Sequence, residues 1–133
     1  MIGPRVIPGP PRADAGELPA ALRRDLPILA RLGVTIGYAQ AAAALGLGPP
    51  GAIRRLTAAL EATMAEDAAA GRPFLAALVV SPRRGGLPAP GFFETARALG
   101  RAAPEGGEAS FHAAELRALF ALHAPLRARS GGG

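Results

Sequence analysis

Leucines recur along the amino-terminal part of the chain at the spacing of one helix face. They are separated by four, four, three and three residues, and they are Leu18, Leu22, Leu26, Leu29 and Leu32. The spacing predicts helix within residues 13–32. Pro27 interrupts the pattern, because an interior proline removes a backbone hydrogen bond and disfavours helical geometry at the residue before it. We therefore expect one helix to end near Asp25 and a further turn to begin at Pro27. The charged side chains between the leucines should face solvent, and these are Arg23, Arg24 and Arg31.

Two further helical patterns follow and meet at a turn. Thr35 can cap a helix over Ile36 to Leu45, because its hydroxyl can accept a hydrogen bond from a free amide of the first helical turn. The run Gly46 to Pro50 breaks this helix, and a longer helix is predicted from Gly51 to Ala70. The longer helix has one apolar face that should pack on the core, and this face consists of Ile53, Leu56, Leu60 and Met64.

A short apolar run, Phe74 to Val80, predicts a buried strand that closes at Ser81-Pro82. A short helix is the alternative structure for this run. A tight basic turn follows, Arg83-Arg84-Gly85-Gly86, and Pro88 and Pro90 argue against a long return strand. Helix, turn, helix, strand and basic turn occur here in the order of a winged helix-turn-helix.

The carboxyl-terminal part predicts two more helices. The first opens at Gly91 and ends at Gly100, and its apolar face consists of Phe92, Phe93, Ala96 and Leu99. After a linker over residues 101–109, Ser110 can cap a last helix that Pro125 stops. The fold class is therefore a mainly helical single domain with a small β element, winged helix-turn-helix-like, over residues 13–124. A flexible proline-rich arm (residues 1–12) and a flexible basic tail (residues 125–133) flank it.

The formal net charge is +5, and all 15 lysine-or-arginine positions are arginine. A positive charge of this size suits an anionic partner such as nucleic acid. A second interpretation stays open, because a GC-rich genome favours arginine, alanine, glycine and proline whatever the function. Where the arginines lie in the structure bears on the choice between the two.

The absence of cysteine from the sequence excludes disulfides, thiolate catalysis and thiolate metal sites. No apolar stretch reaches the roughly 18 residues of a membrane span, and prolines interrupt any signal-like segment, so a cytoplasmic location is expected.

His112 and Glu115 can share a helix face, but His123 lies about three turns further on, so no metal site is predicted. Both histidines are expected at the surface or at a helix end. No nucleophile has an assigned base, which favours a protein without enzymatic activity or cofactor.

Three segments together resemble the DNA-binding domain of the alkylguanine DNA alkyltransferases and their alkyltransferase-like relatives. They are Thr35-Ile36-Gly37-Tyr38, Ala52 to Leu60 and Leu75 to Val80. That family has a threonine-tyrosine-glycine helix start and an alanine-rich recognition helix with an intercalating arginine. The resemblance implies that Arg54 is this arginine, which would fill the space of a flipped base and lower the cost of extruding it.

The same resemblance implies that alkyl transfer does not occur. Ala76 stands where the family has its reactive cysteine, and Ala77 stands where it has a histidine. Tyr38 lies two positions later than the family's tyrosine, with Ile36 in that slot. A second resemblance, to small bacterial proteins, rests on Leu78-Val79-Val80, Gly86-Leu87-Pro88 and Gly91-Phe92-Phe93, and it implies no activity.

Six residues form the candidate nucleic-acid site, namely Thr35, Tyr38, Arg54, Arg55, Arg83 and Arg84. In this hypothesis the entry of the third helix meets base edges of double-stranded DNA, while the basic wing meets phosphates. Ordinary solvated arginines are the competing interpretation. A small adaptor subunit that holds a larger protein partner is the alternative function, because alanine-rich helices and apolar composition can expose a contact surface.

Overall fold

The computed structural model describes residues 17–101 and 107–124, and the predicted arm and basic tail lie outside the described residues. The chain is mainly helical with a two-stranded parallel sheet, which confirms the predicted mainly helical class with a small β element. The helices are α1 (Glu17–Leu32), α2 (Tyr38–Ala44), α3 (Ala52–Ala70), α4 (Pro90–Ala98) and α5 (Glu108–Leu122), and the strands are β1 (Ile36–Gly37) and β2 (Val79–Val80).

Helix α1 runs through Pro27 without a break, so the predicted end near Asp25 is wrong. An interior proline costs roughly 3 kcal/mol. That cost is offset because one continuous face of α1 is buried on both sides of the proline, namely Leu18, Leu22, Leu26 and Ala30. Arg24 and Arg31 are exposed as predicted. Arg23 is not a solvated charge, since its Nε lies 2.8 Å from Glu66 Oε1 and its Nη1 lies 3.2 Å from Asp67 Oδ1.

The segment before α2 is a strand rather than the first turn of a helix. Ile36 pairs with Val79 and Gly37 with Val80 in parallel register, so these residues are held extended. Gly37 occupies the N-cap of α2, and its N–H donates to the Gln40 side chain at 3.0 Å. The predicted cap at Thr35 and the predicted helix start at Ile36 are therefore wrong.

The apolar run Phe74 to Val80 is buried along its whole length, but only its last two residues form a strand. A 3-10 helix covers Leu75–Leu78, so the predicted seven-residue strand is mostly wrong. Two backbone N–H groups at the start of this run donate to side-chain carboxylates instead of to the carbonyl oxygens of a neighbouring strand. Phe74 N–H donates to Glu115 at 2.8 Å, and Leu75 N–H donates to Asp67 at 3.0 Å. Their bonds are thus satisfied without a sheet.

The core lies where α1, α3 and α5 pack against this buried run. Leu56, Leu60 and Met64 of α3 are buried in it as predicted, whereas Ile53 is 45% exposed and does not belong to the core face. His112 is buried and its Nε2 lies 2.9 Å from the carbonyl oxygen of Ala77, so the predicted surface position is wrong. An aromatic cluster completes the core, formed by Phe74, Phe92, Phe93 and Phe111.

Candidate nucleic-acid interface

Helices α2 and α3 are joined by residues 45–51, a connection longer than the three or four residues of the usual helix-turn-helix. Leu47 anchors this connection, since its side chain is buried in the core. Gly46 and Gly51 have φ values of 75° and 79°, and glycine adopts this left-handed geometry without a steric penalty. The connection sets the start of α3 at the surface, where Ile53, Arg54 and Arg55 are all exposed.

The two arginines at this helix start behave differently. Arg55 folds back on the connection, where its Nη2 donates to the carbonyl oxygen of Gly48 at 2.6 Å and more weakly to that of Pro50 at 3.4 Å. Arg54 curls over Gly51, so that a β-carbon at that glycine would lie 3.5 Å from Nη2 of Arg54. Within residues 17–101 and 107–124, no hydrogen-bond acceptor or carboxylate engages the Arg54 guanidinium. Arg54 is therefore available to an external ligand, while Arg55 also stabilises the connection.

The amino end of α3 adds to this positive charge. The N-cap is Gly51, which has no side chain to accept a hydrogen bond from the first amides of the helix, and the first turn contains no acidic residue. Free amides and the helix dipole both favour an anion at such an end. The exposed Ile53 adds an apolar side chain beside the cationic ones.

The basic turn is a closed loop that begins and ends at one antiparallel bridge between Ser81 and Leu87. Ser81 N–H donates to Leu87 O at 2.8 Å, and Gly86 N–H donates back to Ser81 O at 3.1 Å. A 3-10 turn, Pro82–Arg84, fills the loop, which we call the 81–87 turn. Its compact shape presents Arg83 to solvent.

Arg84, by contrast, points into the protein. Its Nη1 donates to the carbonyl oxygen of Pro88 at 2.5 Å, and its Nη2 lies 3.3 Å from Glu108 Oε1. The guanidinium carbon also sits 6.0 Å from the centre of the Phe93 ring. These contacts give Arg84 a structural role that ties the 81–87 turn to α4 and α5. Of the two arginines in this turn, Arg83 is the one whose guanidinium has no partner among the described residues.

Tyr38 stands beside the 81–87 turn because β1 pairs with β2 in parallel register, whereas Thr35 precedes β1 at the other end of this strand pair. A β-carbon on Gly37 would lie 3.9 Å from Cδ of Pro82, which shows how closely the two segments approach. Tyr38 is half-buried, and its hydroxyl oxygen accepts a hydrogen bond from Ala89 N–H at 2.9 Å. Burial raises the pKa of the Tyr38 phenol, although the Ala89 hydrogen bond and the charge of Arg84 oppose the shift. Thr35 is exposed.

A cavity of about 50 Å³ connects Tyr38 with the middle of α3. Thr57 and Glu61 line one side, one and two helical turns after Arg54, and Ala76 contributes a methyl group to the floor. A liquid water occupies about 30 Å³, and ligand pockets usually exceed about 300 Å³. The cavity is therefore too small for a nucleobase in this conformation.

The structure thus brings Tyr38, Arg83 and Arg84 together around the 81–87 turn, and it sets Arg54 and Arg55 at the exposed start of α3. Thr35 lies apart from both groups in the strand register. Three of the six predicted site residues make internal hydrogen bonds that stabilise the fold, namely Tyr38, Arg55 and Arg84. Among the described residues, no group of three or more histidines and carboxylates could hold a metal ion. No helix of the described chain is both long and apolar enough to cross a membrane.

A second polar cluster, at the other end of α3, is absent from the predicted site. Asp67 lies at its centre and is 1% exposed. The sequence contained a signal for it, since Asp67 follows Met64 by three residues and so continues the buried stripe of Leu56 and Leu60. A carboxylate on a buried face requires partners, and Arg23 and Arg72 supply them.

No family model, no curated protein and no solved structure matches this chain.

Proposed function

We propose that this chain is a non-enzymatic protein that binds double-stranded DNA in the manner of a winged helix-turn-helix. The observation that carries the proposal is the exposed Arg54 guanidinium, which no described residue engages, at an uncapped amino end of a helix. An exposed, unpaired guanidinium at such an end can reach the base edges of a duplex, while the free amides of the helix start favour its phosphates. The alkyltransferase-like resemblance, which assigns an intercalating role to the same residue, supports this choice.

In the proposed complex the start of α3 enters the duplex and the 81–87 turn lies along a phosphate backbone. Arg54 and Ile53 meet the bases, because a guanidinium can bind base edges and an apolar side chain can wedge between base steps. Arg83 and Arg55 meet phosphates. Thr35 is exposed just before β1, at the other end of the strand pair from the 81–87 turn, and we assign it no contact in this complex.

Tyr38 and Arg84 do not contact DNA in this proposal but position the residues that do. Tyr38 fixes Ala89 and Arg84 fixes Pro88, so both hold the return segment that follows the 81–87 turn. Their removal would misplace Arg83 rather than delete a DNA contact. Because the cavity beside Tyr38 is small, extruding a base into it would require α3 to move away from Tyr38 and Ala89.

The test is fluorescence polarisation with a labelled random duplex across a salt series. We expect binding whose affinity falls steeply with salt, because each neutralised phosphate contributes a slope of about −0.9 in the double-logarithmic plot. Arg54→Gln and Arg83→Gln should each reduce the affinity, and Arg83→Gln should lower the slope by about one contact. Arg97→Gln is the matched control, since Arg97 is an exposed arginine on α4. Equal effects of Arg54→Gln and Arg97→Gln would contradict the proposed interface.

A second candidate function, a small adaptor subunit, is favoured by an exposed apolar group at the carboxyl end of α1. Ile28 and Leu32 lie four residues apart on one helix face and are 49% and 67% exposed, and Val34 beyond them is 43% exposed. A contiguous apolar surface of this kind often marks a protein contact. Light scattering and pull-down from native lysate test it: a Leu32→Ser variant should lose a partner that the Arg54→Gln variant retains. A strictly monomeric protein with no retained partner would count against the adaptor function.

A further inference from the structure

A cavity of about 310 Å³ lies at the carboxyl end of α3. Its volume falls within the range of small-molecule sites, which runs from about 300 to 1,000 Å³. The polar side is lined by Arg23, Arg72 and His123, and the apolar side by Pro27, Leu75 and Leu122. At 1.5 Å per residue, α3 separates Arg54 from Asp67 by about 20 Å along its axis. This cavity is therefore distinct from the proposed nucleic-acid interface.

The polar side is organised by the buried carboxylate of Asp67. Asp67 accepts hydrogen bonds from Arg23 Nη1 at 3.2 Å, from Arg72 Nε at 3.1 Å and from Leu75 N–H at 3.0 Å. Three donors satisfy this carboxylate, so it has little capacity left for a ligand cation. It acts instead as an anchor that fixes two guanidinium groups at the wall of the cavity.

The two arginines differ in the donors they leave free. Arg23 also donates from Nε to Glu66 at 2.8 Å and from Nη2 to the carbonyl oxygen of Thr63 at 3.1 Å. Arg72 is anchored through Nε alone, and its two terminal nitrogens meet no acceptor among the described residues. The Arg72 side chain is 45% exposed, so an entering molecule can reach these donors.

The charge of the lining favours one negative charge on the ligand. The guanidiniums of Arg23 and Arg72 pair with the carboxylates of Glu66 and Asp67, so the group as a whole is neutral. Arg72 lines the cavity, whereas Glu66 lies outside the lining on the exposed side, where water screens it, so the nearest charge available to a ligand is that of Arg72. Burial and the charge of Arg31 lower the pKa of His123, although Asp67 opposes them, so this ring is neutral at pH 7 and offers one donor and one acceptor. A multiply charged anion fits poorly, because the carboxyl end of a helix carries partial negative charge.

We propose that this cavity binds a small organic carboxylate with a short aliphatic chain. The terminal nitrogens of Arg72 bind the carboxylate as a fork, because guanidinium and carboxylate geometries match in two parallel hydrogen bonds. Leu75, Leu122 and Pro27 enclose the aliphatic chain, which gains from leaving water. His123 donates or accepts a hydrogen bond at the mouth.

The test is titration of the full chain with hexanoate, followed by the amide and His123 ring signals in NMR spectra. We expect saturable shifts at Leu75, Arg72 and His123. Acetate, which lacks the chain, and hexanol, which lacks the charge, should bind at least about tenfold more weakly, since each loses one of the two interactions. Inorganic phosphate that binds as tightly as hexanoate would overturn the assignment to a monocarboxylate, and no saturable shift with any probe would overturn the site.

Two variants test the wall residues separately. Arg72→Gln should weaken hexanoate binding about tenfold or more, while the matched control Arg97→Gln leaves it unchanged. If Arg72→Gln unfolds the protein, Leu122→Glu serves instead: Leu122 is 50% exposed, and the new carboxylate would repel the ligand without touching Asp67. Undiminished hexanoate binding in a folded Leu122→Glu or Arg72→Gln variant would contradict the proposal. Arg54→Gln should bind hexanoate normally, so this test does not depend on the outcome with DNA.

Discussion

The two ends of α3 place arginines in opposite surroundings. At the amino end, Arg54 and Arg55 are exposed, and no described carboxylate lies within ion-pair distance of either. At the carboxyl end, Arg23 and Arg72 converge on the buried Asp67 and are fixed by it. One residue type in an arginine-biased chain thus has two roles, and the local supply of buried acceptors decides between them.

The comparison bears on the two explanations of the net positive charge. Some arginines serve the fold itself, because a buried carboxylate needs hydrogen-bond donors whatever the reason for the arginine-rich composition. Examples are the arginines at Asp67 and Arg101, which approaches Glu115 to 3.2 Å. Arg54, at the uncapped start of α3, has no such internal use among the described residues, whereas Arg55 also bonds the Gly48 carbonyl oxygen. We therefore base the nucleic-acid proposal on Arg54 and Arg83, and not on the charge of the whole chain.

The largest expected effect is that of Asp67→Asn at the carboxyl end. The variant leaves the guanidiniums of Arg23 and Arg72 beside a buried neutral amide, and breaking a buried ion pair from one side typically costs about 3 to 5 kcal/mol. We expect the lower end of this range, because the two arginine side chains are 29% and 45% exposed and can reach water. Urea unfolding followed by circular dichroism measures the loss. Asp25→Asn is the control, because Asp25 pairs with Arg24 in an exposed position and should leave the unfolding free energy within error. Equal stability of both variants would remove the distinction between the two ends.

A smaller effect is expected when one guanidinium is removed at each end. Arg23→Gln deletes bonds to Glu66, Asp67 and the Thr63 carbonyl, and should lower the unfolding free energy by about 1 to 3 kcal/mol. Arg54→Gln deletes no bond to a described residue, so its unfolding free energy should equal that of the wild type. The same urea titration compares both variants. A destabilised Arg54→Gln protein would show that Arg54 has an internal role.

Substitutions of the two arginines at the amino end of α3 should differ in unfolding free energy by less than the substitutions at opposite ends do. Arg55→Gln loses the bond to the Gly48 carbonyl, and since that bond is exposed we expect a loss of only about 1 kcal/mol. Both Arg54→Gln and Arg55→Gln should weaken DNA binding in the polarisation assay. Only Arg55→Gln should also lower the thermal midpoint. Variants that are equal in both measurements would contradict the different roles assigned to this pair.

The smallest expected effect is a pH dependence from His123. Its pKa is lowered in the folded protein, first by burial and then by Arg31. The unfolded chain binds a proton near pH 6.5 and the folded chain only at lower pH, so this residue makes the unfolding free energy fall as pH drops through 6.5. Subtracting a His123→Gln titration from that of the wild type isolates the contribution. A difference that rises toward acid would contradict the sign.

Much of the fold follows from residue spacing. The stripe Leu56, Leu60 and Met64 predicted α3 with its bounds nearly correct, because one apolar face against the core suffices to define a helix. The prediction that α1 breaks near Pro27 was wrong. The sequence shows the local cost of an interior proline, but it does not show that burial of the helix face on both sides of Pro27 outweighs this cost. The run from Phe74 misled the prediction of a strand, because the acceptors of its amides, Asp67 and Glu115, come from distant parts of the chain.

The candidate site was only partly predictable for the same reason. The exposed position of Arg54 follows from its offset from the apolar stripe. The inward position of Arg84 depends on Glu108 and Phe93, which lie far along the chain and meet it only after folding. The cavity around Arg72 likewise joins α1, α3 and α5, and no local pattern of hydrophobic and polar residues reports such a meeting.

The measurement that tests the central claim most directly is an NMR titration of the arginine Nε–Hε signals with a short random duplex at low salt. It observes both ends of α3 in one sample. We predict that the signals of Arg54 and Arg83 shift and saturate, while those of Arg23 and Arg72 stay in place because their Nε–H groups are already bonded to Glu66 and Asp67, respectively. Shifts confined to Arg23 and Arg72, or no shift in any arginine, would contradict binding of DNA through the amino end of α3.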